Sequence, residues 1–234
     1  GKQYLFLSCP AYEVFFGGQA GGGKSDALLM GATGSAECGI FNRPKWKAVL
    51  FRRIYPDLEK SLIFRSHQLF SGKMKYDAVK HRWTAPLGGI LEFGHIKAEK
   101  DVYNYKSSSY NYIGFDELTE FSERMYMYLF SRNRTDDPEI QCQIRSASNP
   151  TGIGHGWVKE RFINNLQPYK IHEFKEMVPT SLEGIMEERS ITRCYIPSGV
   201  FDNRYLMDSD PNYIMRLNQL PDIERRALMY GDWD

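Results

Sequence analysis

An α/β fold, with a mostly parallel sheet flanked by helices, is predicted by three features of the sequence. Short, almost wholly apolar segments alternate with helical stretches. A glycine-dense loop joins the first of these segments to a helix, and a later apolar segment ends abruptly in two acids. Strands buried on both faces read as continuous apolar runs, and their alternation with helices implies crossover connections. A chain of 234 residues, 42% hydrophobic and 25% charged, is long enough for one well-cored domain with a small appendage.

The elements come in order. Tyr12 to Gly18, "YEVFFGG", reads as a short buried strand running into the glycines, and "KSDALLMGATGSA" as the helix after them. Lys47 to Arg53, "KAVLFRR", is a second buried strand, and "YPDLEKSLIFRSHQLF" a helix that opens at a proline, where proline is tolerated. The stretch "MKYDAVKHRWTAPLGGILEFG" alternates and carries a Pro-Leu-Gly-Gly turn, so a hairpin insertion is expected at about 74–95. "YNYIGFDE" is a strand ending in Asp116 and Glu117; a helix over about Ser122 to Ser131 and a strand over Glu139 to Pro150 come next. Residues 197–234, with "DSDPNYIMRLNQL" and "PDIERRALMYG", read as a small helical lid on a core spanning 1–196.

Composition bounds the function classes. A net charge of +1 argues against a protein coated in basic residues but leaves a local basic patch open. The four cysteines form no CxxC pair and read as reduced thiols of an intracellular protein. No apolar run approaches the roughly 18 residues of a membrane helix, so no membrane partner is expected. The chain begins at Gly1 without a methionine and reads as a domain of something longer.

Gly18-Gln19-Ala20-Gly21-Gly22-Gly23-Lys24-Ser25 matches G-x-x-x-x-G-K-[ST] without a gap. Glycines here permit positive φ and leave no Cβ in the way, so backbone N–H groups can wrap a phosphate. The following helix, whose first turn includes Asp26, aims its N-terminal dipole at the same anion. Lys24 is placed to reach β- and γ-phosphates, and the Ser25 hydroxyl to hold Mg²⁺. Asp116 and Glu117 end a buried strand at the carboxyl edge, where open α/β sheets bind ligands. Asp116 suits the acid that holds Mg²⁺, and Glu117 the base that orients and deprotonates an attacking water. Loop and acids together predict a P-loop NTPase core of the RecA-like, extra-strand class that hydrolyses ATP. "RSASNP" (Arg145 to Pro150) ends another strand, where its small polar residues either touch the γ-phosphate or simply terminate the strand. Phosphoryl transfer also gains about 10³–10⁵ in rate from an arginine. The loop carries Gln19 where one would serve, so Arg132 or Arg134 in "FSRNRTDD" are the candidates, unless they only pair with Asp136 and Asp137.

With these residues in view, the chain resembles the ATPase domain of the large terminase subunit of tailed bacteriophages, the motor that packs DNA into a capsid. The resemblance rests on "YEVFFGGQAGGGKSDALL", "LFRRIYPDLEKSLI", "YNYIGFDELTEF", "SRNR", "SNPTGIGHGWVKERFI" and "ALMYGDWD", and spans nearly the whole chain. It implies ATP and Mg²⁺ as cofactors, double-stranded DNA as substrate, and a homo-oligomeric ring on a portal, with a small terminase subunit, in the host cytoplasm. It implies that Ser146 to Asn149 couple hydrolysis to movement, with Asn149 in the nucleotide site. It implies that Gln3 reads adenine, and that Arg132 or Arg134 reaches a neighbouring subunit's site. It further implies a nuclease domain beyond Asp234, so this chain is not expected to cut DNA. Gln19 departs from the pattern, since many relatives carry an arginine there.

Other signals carry less. "TGIGHGW" lacks the G-x-G-x-x-G spacing and reads as a glycine-hinged turn. Asp202, Asp208 and Asp210 read as helix caps. Lys73, Lys75, Lys80, His81 and Arg82, interleaved with Tyr76 and Trp83, either grip a DNA backbone or form a solvated hairpin face. Two rivals stay open: a two-lobed helicase, which requires a second lobe, and a ring scaffold that binds ATP with little turnover.

Overall fold

The computed structural model describes all residues from Gly1 to Asp234. A short helix α1 (Lys2–Ser8) leads into β1 (Glu13–Gly18), and α2 (Lys24–Ala32) comes after the glycine loop. β2 (Lys47–Arg52) is followed by α3 (Tyr55–Leu58), which continues through a wider turn into α4 (Phe64–Phe70). Three strands come next, β3 (Lys75–Asp77), β4 (Arg82–Thr84) and β5 (Ile90–His95), then β6 (Tyr112–Asp116), α5 (Glu123–Phe130) and β7 (Gln143–Ser148). After α6 (His155–Val158) the chain forms a long hairpin of β8 (Ile171–Pro179) and β9 (Met186–Ser198), and closes with α7 (Arg204–Ser209), α8 (Tyr213–Asn218) and α9 (Asp222–Arg225). No helix is long and apolar enough to cross a membrane.

All nine strands lie in one sheet, ordered β3-β4-β5-β2-β6-β7-β1-β9-β8. The inner strands from β5 to β9 run parallel, and the edges are antiparallel. The predicted mostly parallel sheet is therefore present, and strand β7 stands between the loop strand β1 and the acid strand β6. Every residue of β1 and β6 is buried, as strands covered on both faces require. One face is closed by α1, α2, α3 and α4 around Phe16, Leu28, Leu50 and Trp83; the other by α5 and the segment after α6 around Phe15, Phe115, Tyr126 and Phe162.

The structure differs from the sequence expectations in three places. β4 and β5 do pair antiparallel around the Ala85–Gly89 turn, but β5 also pairs parallel with β2 and so belongs to the main sheet. Of the expected insertion, only β3 and β4 stand outside the parallel core. Their aromatic residues are packing groups: Trp83 is 2% exposed and donates to Ser66 Oγ, and Tyr76 packs on His67 and Trp83. The β8–β9 hairpin had no expectation, because its outer halves are charged and exposed, and no apolar run marks them.

The carboxylate of Glu13 is wholly buried at the start of β1 and is held by three donors. Arg161 donates at 2.6 and 3.0 Å, Arg193 at 2.8 Å and the Tyr126 hydroxyl at 2.8 Å. This cluster ties β1 to β9, α5 and the segment after α6. Removing one partner of a buried pair leaves the others uncompensated. Glu13→Ala is therefore expected to lose about 3–5 kcal/mol in urea unfolding; a loss of less than about 1 kcal/mol would show the cluster to be peripheral.

Candidate functional site

The glycine loop takes the conformation its composition allows. Gly18, Gly21 and Gly23 have φ of 131°, 73° and 71°, a region that side-chain-bearing residues rarely enter. A Cβ on Gly23 would also stand 2.2 Å from Gln3 Nε2, which donates to the Gly23 carbonyl at 2.8 Å. The backbone N–H groups of Gly21 through Asp26 donate to no backbone acceptor within the chain. Six consecutive free amides at the start of α2 make a nest for a phosphate group. Gln19 and Ala20 are used differently: their N–H groups donate to Ser198 O and Leu228 O, and Gln19 Oε1 accepts from Val200 N. Asn203 Nδ2 donates to Gly21 O at 2.7 Å. The C-terminal helices thus fasten the outer side of the loop. The Asp26 carboxylate turns away onto Arg65, at 2.8 and 2.9 Å, which leaves only its N–H for the nest.

Three strand ends bring the remaining groups together. Lys24, only 8% exposed, donates to Gln19 O at 2.6 Å and to Asn149 Oδ1 at 2.9 Å. Burial pushes its pKa down to about 8, against the opposing pull of Glu117 and Asp116. Ser25 Oγ donates to both Asp116 carboxylate oxygens at 3.2 Å. A hydroxyl beside a carboxylate is a hard-oxygen pair that fits Mg²⁺, an ion that takes few protein ligands and completes its shell with phosphate and water. Glu117 sits at φ 56°, ψ 57°, a left-handed backbone that costs of order 1–3 kcal/mol for a side-chain-bearing residue. Burial, and then the neighbouring Asp116 charge, raise its pKa above the ordinary carboxylate range. Ser148 Oγ reaches Glu117 Oε2 at 3.4 Å and shares a 2.6 Å hydrogen bond with Thr119 Oγ1.

The end of β7 therefore links Lys24 to Glu117: Asn149 holds Lys24, and Ser148 meets Glu117. Ser146 lies deeper, against Tyr126, and Arg145 is buried, donating to the carbonyls of Cys9, Ala11, Tyr12 and Ile144. Arg145 thus holds the α1–β1 connection, and Ser146 meets α5.

Sequence reasoning missed Arg52. Its Nε donates to Asp116 Oδ2 at 2.8 Å, and its Nη2 lies 3.7 Å from Glu117 Oε1. Beside it opens a cavity of about 480 Å³ bounded by Arg53, Asp57, Glu117, Glu120 and Asn149. The signal was present as two arginines closing the apolar run "KAVLFRR", since a charge at the carboxyl end of a buried parallel strand points into the ligand edge. Arg132 and Arg134, by contrast, are not brought to these groups. They flank Tyr110, ahead of β6, whereas Asp116 ends β6, so they sit at the opposite end of the sheet.

The Lys24 ammonium has a pH-dependent consequence. Its folded pKa of about 8 is below the ordinary lysine value, so this group adds stability as pH rises from about 8 toward 10. A bound polyphosphate restores the charge, so binding above pH 8 takes up a proton. Affinity for a triphosphate is expected to be flat for this group below pH 8 and to fall by up to about tenfold per unit above it. Titrations of a fluorescent ATP analogue at pH 7, 8 and 9 read this directly, and equal affinities at all three would show that Lys24 does not titrate there.

The sequence matches no protein-family model and no curated protein. Its fold, however, is similar to solved structures. The large terminase of a thermophilic bacteriophage superposes with a TM-score of 0.72 at 13% identity, over 99% of this chain and 53% of that one. The same terminase in complex with ADP gives 0.69 at 13% identity, over 99% and 53%. The large terminase ATPase domain of Thermus phage P74-26 gives 0.62 at 18% identity, over 100% of this chain and 93% of that one. The chain spans about half the length of the first of these proteins. Over essentially its whole length, then, the chain has the P-loop NTPase fold seen in the ATPase domains of phage large terminases.

Proposed function

We propose that the chain is the ATP-hydrolysing motor domain of a large terminase, moving double-stranded DNA into a viral procapsid. One observation carries this reading: Lys24, Ser25, Asp116 and Glu117 converge beside six free amides in a fold shared with terminase ATPase domains. The triphosphate of ATP seats on the N–H groups of Gly21 to Asp26, with the Lys24 ammonium against its outer phosphates. Ser25 and Asp116 would hold Mg²⁺, which supplies charge neutralisation at the phosphate oxygens. Glu117 orients the attacking water and accepts its proton; its raised pKa brings it nearer to working pH. Arg52 provides, within the same chain, the positive charge that Gln19 does not. Asn149 and Ser148, bonded to Lys24 and Glu117, relay loss of the γ-phosphate. Gln3 reads adenine in this proposal, a role supported by its bond to the loop at Gly23. Residues 197–234 act as a lid, because their carbonyls and side chains grip Gln19, Ala20 and Gly21. In a homo-oligomeric ring, Arg132 or Arg134 reaches the site of the next copy, since neither can reach its own. A portal and a small terminase subunit are the assembly partners of this reading.

Glu117→Gln keeps the shape and removes the base. Its Mg²⁺-dependent ATP turnover is expected to fall by about 10²-fold or more, with nucleotide affinity retained. Unchanged turnover would instead indicate an ATP-binding scaffold. A mixing experiment checks the ring. Glu117→Ala protein combined with Arg132→Ala/Arg134→Ala protein is expected to hydrolyse ATP well above either alone, and absence of rescue would remove these arginines from any shared site.

A further inference from the structure

The end of the sheet opposite Lys24 carries a second polar site. A cavity of about 340 Å³ opens where β2 and β6 begin, lined by Lys45, Lys47, Ser109, Asn111, Arg134, Thr135 and Asp136. None of these is apolar, which sets it apart from pockets that take uncharged organic ligands. Three cations face one carboxylate. Asp136 is engaged by Lys45 at 3.3 Å, while Lys47 and Arg134 have no carboxylate within salt-bridge distance.

Asn111 is the built part of this site. The residue is 2% exposed, and its backbone is clamped between strands: its N–H donates to Lys47 O at 2.9 Å, and its carbonyl accepts from Gln143 N at 2.8 Å. Its Oδ1 accepts from Lys47 N at 2.5 Å, which fixes the orientation of the amide. The Nδ2 group is consequently committed as a donor, yet it has no partner anywhere in the chain. A buried donor without a partner forfeits its hydration without compensation, and native structures leave few of them. Asn111 also lines the adjoining cavity, and because Nδ2 is itself closed to solvent, an oxyanion there would satisfy it once that wall of the cavity yields.

We propose that Asn111, Lys47, Lys45 and Arg134 form a phosphate-binding site, distinct from the glycine loop and at the other end of the sheet. The donors are of one kind: a fixed amide, two ammonium groups, a guanidinium and the Ser109 and Thr135 hydroxyls. Arg134 lines the recess together with Thr135 and Asp136. The phosphate is either a phosphodiester of a nucleic-acid backbone or free orthophosphate, and both present the same oxyanion to these donors. The site stands on its own geometry and does not depend on ATP hydrolysis by the chain.

The test is an NMR titration of the whole chain, following the Asn111 side-chain amide as inorganic phosphate replaces chloride at constant ionic strength. The Asn111 signals are expected to shift and saturate. Lys45→Ala/Lys47→Ala, which alters two exposed side chains, is expected to weaken the apparent affinity by about tenfold or more. A random-sequence DNA duplex is the second probe. If it shifts the same signals, and the double variant lowers the salt slope of duplex binding by about 1–2, the occupant is a backbone phosphodiester. If phosphate shifts Asn111 but the duplex does not, the occupant is free phosphate and the site stands. If neither moves the Asn111 signals, the proposal is wrong, whatever the ATP turnover proves to be.

Discussion

The position of β7 between β1 and β6 governs the geometry of the candidate site. Parallel pairing aligns Phe15 with Ser146 and Phe115 with Ser146, so the three strands end at one level. At that level β1 releases the glycine loop, β6 delivers Asp116 and Glu117, and β7 places Ser148 and Asn149 between them. Without the intervening strand, Lys24 and Glu117 would lack a hydrogen-bonded connection. With it, two short side chains join Lys24 to Glu117.

The same crowding sets the electrostatics. Lys24 and the two acids share a largely buried space in which each charge is costly unless another offsets it. Burial lowers the lysine pKa and raises that of Glu117, and Arg52 supplies the second positive charge against Asp116. The strained backbone at Glu117 is held by the residues after it: Thr119 bonds to Ser148, and Gly152 and Gly154 pack so tightly against Thr119 and Phe121 that neither could carry a Cβ. The glycines of "TGIGHGW" are thus a close-packing device behind the acids. The loop, for its part, is held from outside by Ser198, Val200, Asn203 and Leu228, so movement of the C-terminal helices is mechanically tied to the phosphate nest.

The two ends of the sheet divide the chemistry. The carboxyl end gathers free amides, a buried lysine and a paired acid set. The amino end gathers Lys45, Lys47 and Arg134 around the unpaired amide of Asn111. β2 and β6 run between them, Lys47 to Arg52 and Tyr112 to Asp116, so each strand has one end in each site. A packed sheet of this kind transmits displacement along its strands because its interior has no slack.

Local sequence determined much of this. The apolar runs marked β1, β2, β6 and β7, because strands buried on both faces admit few polar residues. The glycine spacing marked the row of free amides, because only glycine takes those φ values without strain, and the apolar run marked the strand end that carries the paired acids. Where the chemistry depended on residues distant in sequence, the tertiary structure decided. Only strand order could bring Arg52 to Asp116, 64 residues away, and Asn149 to Lys24, 125 residues away. Only packing could show that Trp83 is a core group with the half-buried Tyr76 against it, and that Asp26 serves Arg65. Only the fold could place Arg132 and Arg134 at the far end of the sheet. A pattern of residue types records what a segment can do locally; which charges meet is set by the register of strands that lie far apart along the chain.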